Sequence, residues 1–313
     1  MSHADATTAL LRAVRWEGDG VVSLRLEPDG GVVGWQPGAH LDVSVGDGST
    51  RQYSLCGDPS DGDYRIAVLR APDGRGGSEY LHRGLFVGDR LAVTGPRNHF
   101  ALEAAPAVTL VAGGIGITPL LPMARQLDRE GRDWRLFYYG RSRASMAFLD
   151  ELTAFGDRVH VLPKDEGTPA PVAEALGSHP ERGLVYVCGP ERLLAGARAV
   201  VPDELLRTEL FSAPEAEPVA ADADAFTVEL RVSGLAVEVD SSRTVLEAIT
   251  AAGVAVTTDC EEGICGSCET RVLDGVPEHR DHVLTAQEKA ANDCMMVCVS
   301  RAAEGCPTLV LEL

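Results

Sequence analysis

The sequence lacks any apolar run close to the roughly 18 residues that a membrane-spanning helix needs. Its most apolar window, residues 107–121, is interrupted by three glycines and a proline. The first residues also lack the basic segment and apolar core of a secretory signal. From these absences we expect a cytoplasmic protein that does not bind membranes.

Basic residues are scarce as well. The chain has 28 Lys and Arg against 47 Asp and Glu, which gives a net charge of −19. Such a surface repels nucleic-acid phosphates, so we expect no nucleic-acid partner. It favours a protein partner with a basic docking face. Residues 226–313 alone hold 15 acidic and 6 basic residues, so we expect docking there.

A chain of 313 residues exceeds the size at which a single core is usual, and two or three domains are expected. Residues 1–104 contain short alternating segments separated by Gly/Pro turns, a pattern typical of a small antiparallel β-barrel. The predicted strands of this first domain are residues 21–26, 37–45, 51–55, 64–69 and 90–93.

Residues 105–211 change to strands that alternate with helices, which predicts a doubly wound α/β domain with a parallel sheet. The predicted strands are 108–112, 134–139 and 184–187, and the predicted helices are 120–129, 147–155 and 191–200. Residues 212–225 carry four acids, no base and no amphipathic period, and are predicted to be a linker. In residues 226–313, a hairpin followed by a helix over 244–252 suits a β-grasp ferredoxin domain.

Four cysteines in this last domain form the pattern C-x4-C-x2-C, with the fourth after 29 intervening residues. Such a set can hold two irons and two sulfides, as in a plant-type [2Fe–2S] cluster. The alternatives are a zinc site, which usually takes two short cysteine pairs, and disulfides, which belong to small secreted chains. We predict the cluster, with the ligands Cys260, Cys265, Cys268 and Cys298. Cys294 is the rival for the fourth position, and Cys298 is preferred because it lies in the apolar run 295–299.

Two segments of the predicted barrel have side chains that a flavin needs. In Arg51–Leu55, a cation, an aromatic ring and a hydroxyl follow one another, with Ser54 on the opposite face from Arg51 and Tyr53. In 73–78, glycines, an arginine and a serine precede a short helix, an arrangement that can bind an anion.

The first strand of the α/β domain ends in Gly113-Gly114-Ile115-Gly116-Ile117-Thr118-Pro119. We predict that Thr118 caps the following helix and that a dinucleotide pyrophosphate binds at its start. NAD-specific sites usually place a carboxylate at the end of the second strand. Here that strand ends in Gly140-Arg141-Ser142-Arg143, and Arg141 or Arg143 could instead hold the 2′-phosphate of NADPH.

With these sites in the order flavin, nicotinamide, iron–sulfur, the sequence resembles the phthalate dioxygenase reductase family over essentially its whole length. The segments that carry the resemblance are 51–55, 74–78, Pro96-Arg97-Asn98, 113–119, Cys188-Gly189-Pro190, Thr208-Glu209-Leu210-Phe211 and the four cysteines.

The resemblance implies FMN rather than FAD, with Arg51 and Ser78 on its phosphate, Tyr53 and Ser54 along the flavin, and Thr118 near N5. It also implies that Cys188-Gly189-Pro190 borders the nicotinamide and that Phe211 covers the flavin. The resemblance favours NADH, whereas Arg141 and Arg143 favour NADPH, and the nucleotide is therefore written NAD(P)H. The candidate catalytic residues are Ser54, Thr118, Cys188 and Phe211. The candidate cofactor-binding residues are Arg51, Tyr53, Ser54, Leu55, Gly76, Gly77, Ser78, Gly113, Gly114, Gly116, Thr118, Pro119, Arg141, Arg143, Cys188, Gly189, Pro190 and Phe211.

The resulting prediction is a monomeric oxidoreductase. It would pass electrons from NAD(P)H through FMN to a [2Fe–2S] cluster and on to a terminal oxygenase. That partner would be a Rieske oxygenase or O-demethylase, or a cytochrome P450. The alternatives are an iron–sulfur redox sensor and a ferric-chelate reductase.

Overall fold

The structure, a computed structural model, describes residues 6–46, 48–71, 74, 76–177, 183–211, 225–258 and 260–313. The predicted linker therefore lies almost wholly outside the described residues, as do Arg75 and Asp259. The chain divides into two compact units, Met1–Phe211 and Ser212–Leu313. No helix in the described ranges is long and apolar enough to cross a membrane.

The first part of the larger unit is an antiparallel barrel. Its sheet has the strand order β4-β3-β6-β1-β2-β5, and a bridge between Leu55 and Ile66 links β4 to β5 and closes it. The elements are β1 Thr7–Gly18, β2 Val21–Pro28, β3 Ala39–Ser44, β4 Thr50–Ser54, β5 Tyr64–Leu69, α1 Gly77–Arg83 and β6 Arg90–Asn98. The longest strand, β1, was not predicted, because its exposed Arg12, Arg15 and Trp16 obscure the apolar alternation.

The second part of this unit is a parallel sheet with the order β11-β10-β7-β8-β9 and short helices between the strands. Every residue of β7 and of β10 is buried, which explains their continuous apolar runs. The elements are β7 Ala107–Gly113, α2 Ile117–Arg129, β8 Asp133–Gly140, α3 Leu149–Leu152, β9 Val159–Pro163, α4 Val172–Leu176, β10 Leu184–Cys188, α5 Glu191–Arg198 and β11 Leu206–Glu209.

Two helix predictions need correction. The prediction that Thr118 caps α2 is wrong: a 3-10 turn over Gly114–Gly116 leads directly into the helix, and Gly116 takes the cap position. Thr118 is inside the first turn, where its hydroxyl donates to the Ile115 carbonyl at 3.0 Å. The helix predicted over 147–155 is only Leu149–Leu152, followed by a 3-10 segment with a left-handed glycine, Gly156.

A buried charge network joins the barrel to the α/β layer. The Arg65 guanidinium donates to Glu17 at 2.7 Å and to Glu151 at 2.8 Å. Glu151 also accepts from Arg125, which donates to the Cys56 and Gly57 carbonyls at 2.9 and 2.8 Å. The apolar core of the α/β layer also extends to barrel residues. These contacts hold β1 and β5 of the barrel against α2 and α3 of the α/β layer.

The smaller unit has a five-stranded sheet in the order β13-β12-β18-β14-β16, crossed by α6. Its elements are β12 Phe226–Leu230, β13 Leu235–Val239, α6 Val245–Ala251, β14 Glu269–Asp274, β15 Pro277–Glu278, α7 Ala286–Ala291, β16 Cys294–Met296, β17 Arg301–Ala302 and β18 Thr308–Leu311. The Thr244 hydroxyl accepts from the Glu247 amide, and the Glu247 carboxylate accepts from the Thr244 amide. This capping box starts α6 one residue after Thr244.

Candidate functional site

The end of β4 and the start of α1 come together in the barrel. A Cβ atom on Gly77 would lie 3.1 Å from Cγ and 3.3 Å from Nε of Arg51, so the Arg51 side chain lies directly on the Gly77 backbone. Gly76 has φ +84°, a conformation that favours glycine. The Ser78 hydroxyl accepts from the Ala71 amide at 3.0 Å. A guanidinium beside glycine backbone is a donor set that suits the phosphate of FMN.

The other barrel candidates differ in accessibility. Tyr53 is half-buried, and this burial raises the pKa of its phenol to about 12, so the group stays neutral. Leu55 is fully buried in the barrel core, and its amide donates to the Ala39 carbonyl at 2.8 Å. Its side chain therefore supports the fold of β4.

The two turns after β7 and β10 pack against each other. A Cβ atom on Gly116 would lie 2.2 Å from the Cys188 carbonyl oxygen, and one on Gly113 would lie 2.6 Å from Cδ of Pro190. Pro119 lies in the first turn of α2 and is buried. β7 and β10 are neighbours in the sheet, and successive connections leave them in opposite directions. Ligands of open α/β sheets bind at such a switch point, beyond the carboxyl ends of the strands.

Three polar side chains meet at this switch point: Ser54 from the end of β4, Cys188 from the end of β10, and Glu209 from the end of β11. The Ser54 hydroxyl and the Cys188 thiol both hydrogen-bond to the Glu209 carboxyl group, the thiol sulfur at 3.8 Å from Oε2. We call these residues the Ser54–Cys188–Glu209 group. Phe211, 41% exposed, follows two residues after Glu209.

The electrostatics of the Ser54–Cys188–Glu209 group favour neutral forms. Although Glu209 is only half-buried as a residue, protein surrounds its carboxyl group, and this burial raises its pKa to about 8. Burial, reinforced by Glu209, also raises the pKa of the Cys188 thiol well above its usual value. Near neutral pH the group therefore holds a proton on Glu209.

Glu209 was not among the sequence-based site residues, although it lies in the segment 208–211 that carries the family resemblance. The signal available was its place in that segment, since no strand was predicted over 206–209, where β11 lies. Without the strand order, the sequence could not show that this edge faces Ser54.

The two arginines after β8 have different surroundings. Arg141 is exposed and makes no ion pair or hydrogen bond within the described ranges. Arg143 donates through Nε and Nη2 to the two carboxylate oxygens of Glu166, at 2.6 and 2.8 Å. Both side chains of this ion pair are 50% exposed.

The four candidate ligands of the smaller unit stand in two pairs. Cys260 hydrogen-bonds with Cys265, and Cys268 hydrogen-bonds with Cys298. Among the described side chains, no three or more of His, Cys, Asp and Glu converge as around a single metal ion. Two such pairs match the two protein ligands that each iron of a [2Fe–2S] cluster takes.

Within each pair the hydrogen bond favours the anionic form of one thiol and the protonated form of the other: it lowers the pKa of Cys260 and Cys268 and raises the pKa of Cys265 and Cys298. The hydrogen bond from Cys265, followed by backbone N–H groups, lowers the pKa of the Cys260 thiol to about 6. The bond from Cys298 likewise lowers the pKa of Cys268. Gly263 has φ +69°, and a Cβ atom there would lie 2.6 Å from Cγ2 of Val299, so the turn requires glycine. Thiolates are the forms that bind iron, and the residues present therefore fit the cluster.

Cys294 lies on β16 opposite Arg271, half-buried. Burial and the nearby carboxylates, Glu269 first, raise the pKa of its thiol to about 11. Its surroundings thus differ from those of Cys298, which is buried against Cys268.

Comparison with known proteins covers both units. Residues 228–303 match the family described as the 2Fe-2S iron-sulfur cluster binding domain. The chain is 43% identical over 298 residues to the phenoxybenzoate dioxygenase subunit beta of Ectopseudomonas oleovorans, covering 93% of this chain and 92% of that protein. Among solved structures, phthalate dioxygenase reductase, described as a modular structure for electron transfer from pyridine nucleotides to [2Fe-2S], is 37% identical with a TM-score of 0.69, covering 98% of each chain.

A second solved structure, an intact type IV self-sufficient cytochrome P450 monooxygenase, matches with a TM-score of 0.91 and 43% identity. The match covers 98% of this chain, which spans only 41% of that longer protein.

Proposed function

The chain belongs to the phthalate dioxygenase reductase family, and we propose that it transfers electrons from NAD(P)H through FMN to a [2Fe–2S] cluster and on to a terminal oxygenase. The observation that carries the proposal is the presence, in one chain, of the Ser54–Cys188–Glu209 group at the sheet's switch point and of four cysteines in two pairs. The first site suits hydride transfer and the second suits transfer of single electrons.

FMN, when bound, would accept a hydride from the nicotinamide and release its electrons one at a time. We propose that Arg51, Gly76, Gly77 and Ser78 hold its phosphate, where the Arg51 guanidinium lies on the Gly77 backbone. Tyr53 would offer a neutral ring to the flavin, since its pKa of about 12 keeps the phenol protonated.

The nucleotide would bind across the two packed turns, bordered by 113–119 on one side and by Cys188-Gly189-Pro190 on the other. Ser54 and Cys188 would then face the reacting atoms. Glu209 would lie behind them with its buried carboxyl group protonated near neutral pH. Phe211, at the end of the same strand segment, would cover the flavin face. Thr118 would shape the site by the placement of its side chain, because its hydroxyl already donates to the Ile115 carbonyl.

In the cluster domain, we propose Cys260, Cys265, Cys268 and Cys298 as the iron ligands. The Ser267 hydroxyl is 3.0 Å from Sγ of Cys265. A donor to a ligand sulfur stabilises the reduced cluster, so Ser267 would tune its potential.

The terminal partner is proposed from the relatives, which include a dioxygenase subunit and a P450 fusion. The net charge of −19 supports a partner with a basic docking face. We further propose that the protein acts as a monomer in the cytoplasm. Gel filtration at several protein concentrations tests the monomer, and a concentration-dependent shift in elution would contradict it.

Substitution of one cluster cysteine tests the main proposal. We expect Cys265→Ser to abolish NAD(P)H-dependent cytochrome c reduction, while reduction of ferricyanide, which can take electrons from the flavin, continues. The matched control is Cys306→Ser, at a thiol whose Sγ donates to the Thr308 carbonyl at 3.2 Å. Cytochrome c reduction that persisted without the cluster would show that electrons leave elsewhere.

The same assays separate the alternatives. A redox sensor would turn over slowly with every acceptor, including ferricyanide. A ferric-chelate reductase would reduce chelated iron in the Cys265→Ser variant as fast as in the parent protein.

A further inference from the structure

The ion pair between Arg143 and Glu166 joins two neighbouring strand ends. Arg143 follows β8, and Glu166 lies in the 3-10 turn Lys164–Glu166 that follows β9. The two strands are parallel neighbours, with Gly140 opposite Pro163. Both side chains therefore emerge at the carboxyl edge of the sheet, the edge on which dinucleotides bind.

The pair is bidentate. Nε and Nη2 of Arg143 each donate to a different oxygen of Glu166, at 2.6 and 2.8 Å. The carboxylate therefore occupies the Nε–Nη2 edge of the guanidinium. This edge is then not available for a two-point contact with a phosphate. The hydrogen bond from Arg143 lowers the pKa of Glu166, so its charge is retained at neutral pH.

The location matters because the end of the second strand is where NAD-specific and NADP-specific sites differ. NAD-specific sites place a carboxylate there, and NADP-specific sites accommodate the 2′-phosphate with an arginine. In this chain β8 ends at Gly140 and is followed by Arg141 and Arg143, without a carboxylate. Glu166 brings a carboxylate to the same place from the next strand, and Asp165 adds a second negative charge that acts on Arg143.

We propose that Glu166 is a specificity-determining residue that makes the enzyme select NADH over NADPH, by occupying Arg143 and placing negative charge where the 2′-phosphate would bind. This inference rests on the proposed function, since it concerns the nucleotide that reduces the flavin. Arg143 is then an arginine of the kind that binds the 2′-phosphate of NADPH, but its charge is neutralised by Glu166. Like charges brought together at a binding site oppose binding, and removing Glu166 both ends the repulsion and frees the guanidinium.

The exposure of the pair makes the inference testable without unfolding the protein. Because both side chains are half-exposed, the pair contributes little to stability. Glu166→Gln keeps the shape and removes only the charge. Asp165→Asn removes the same charge one residue away, where no hydrogen bond to Arg143 is formed, and serves as the matched control.

The test measures flavin reduction by stopped-flow with NADH and with NADPH, in holoenzyme of the wild type, Glu166→Gln, Asp165→Asn, Arg143→Ala and the Glu166→Gln/Arg143→Ala double variant. We expect the wild type to prefer NADH. In Glu166→Gln the ratio of the second-order rate constant for flavin reduction by NADPH to that for NADH should rise by roughly tenfold or more. The double variant should lose this gain, because the freed guanidinium is absent, and Asp165→Asn should change the ratio far less.

A binding measurement supplies a readout that does not depend on turnover. By calorimetry, Glu166→Gln should bind adenosine 2′,5′-bisphosphate more tightly than the wild type does, while its affinity for adenosine 5′-monophosphate should change little. A wild type that prefers NADPH, or a ratio unchanged in Glu166→Gln, would overturn the inference while leaving the proposed function intact. Failure of both nucleotides to reduce the flavin would instead overturn the proposed function.

Discussion

The loop that carries the cysteines and the switch point of the parallel sheet assemble their functional side chains in different ways. Residues 260–268 supply three of the four thiols from nine consecutive positions. The Ser54–Cys188–Glu209 group takes its members from the ends of three strands, one in the barrel and two in the parallel sheet. The cluster loop depends on local backbone geometry, and the switch point depends on how two layers pack.

This difference indicates which substitutions should impair each site. At the cluster loop we expect a single side chain or turn glycine to decide whether the cluster binds, because three of the four proposed ligands come from one loop. At the switch point the site can be lost while all of its side chains are present, because distant contacts such as those of Arg65 hold the barrel against the α/β layer. Substitutions at the two kinds of position should therefore differ in their effects.

The largest effect should come from the cluster loop. Cys298→Ser should remove nearly all of the visible iron–sulfur absorption while FMN is retained, because one iron loses its second thiolate. Cys294→Ser is the matched control and should keep the cluster, since Cys294 has different neighbours. Absorption spectra and iron analysis of both variants, purified without oxygen, check this prediction. The reverse result would make Cys294 the fourth ligand.

The next effect tests the contacts that hold the layers together. Arg65→Ala should lower the free energy of unfolding by about 3–5 kcal/mol, because it leaves the buried Glu17 carboxylate without its close partner. Arg25, opposite Arg65 on β2, pairs with Asp61 and Asp63 but is 42% exposed. Arg25→Ala should therefore cost only about 0–1 kcal/mol. Urea unfolding of both variants provides the measurement, and equal losses would contradict the assignment of Arg65 to the layer contact.

A smaller effect compares two glycines of the turn after β7, one required by close packing and the other by its backbone conformation. Gly116→Ala should destabilise the protein by about 1–3 kcal/mol and slow flavin reduction, because its Cβ would lie 2.2 Å from the Cys188 carbonyl oxygen. Gly114, with φ +56°, has nothing within 4 Å of a Cβ. Gly114→Ala should cost only the strain of a left-handed residue, about 1–2 kcal/mol, and should leave the rate of hydride transfer nearly unchanged. Similar rate losses in both would mean that turn packing does not position Cys188.

A separate, pH-dependent effect concerns the proton on Glu209. Burial raises the pKa of this carboxyl group from its usual value of 4.5, which applies in the unfolded chain, to about 8 in the folded protein. The native state therefore binds more protons than the unfolded state between these values, and its stability falls as pH rises from about 4.5 to about 8. Glu209→Gln lacks this dependence. Unfolding of FMN-free protein at about pH 5 and about pH 8 should show the wild type losing stability relative to the variant. A constant difference would contradict the raised pKa.

Much of the fold followed from local patterns. The apolar runs of β7 and β10 predicted buried parallel strands, and the Thr244–Glu247 pair lies where α6 was predicted to begin. The failures have equally local causes. Charged residues obscured β1, and Phe148, with φ +63°, keeps the helix that was predicted from residue 147 from beginning before Leu149.

The sequence by itself determined the chemistry of the cluster loop, because three of the four proposed ligands lie within nine consecutive residues. It also placed the glycine turns and the arginines after β8. Only the tertiary structure decided that Glu209 meets Ser54 and Cys188, and that Arg143 is occupied by Glu166. The physical reason is that strand order and layer packing set these distances, and neither is encoded in the spacing of the residues that meet.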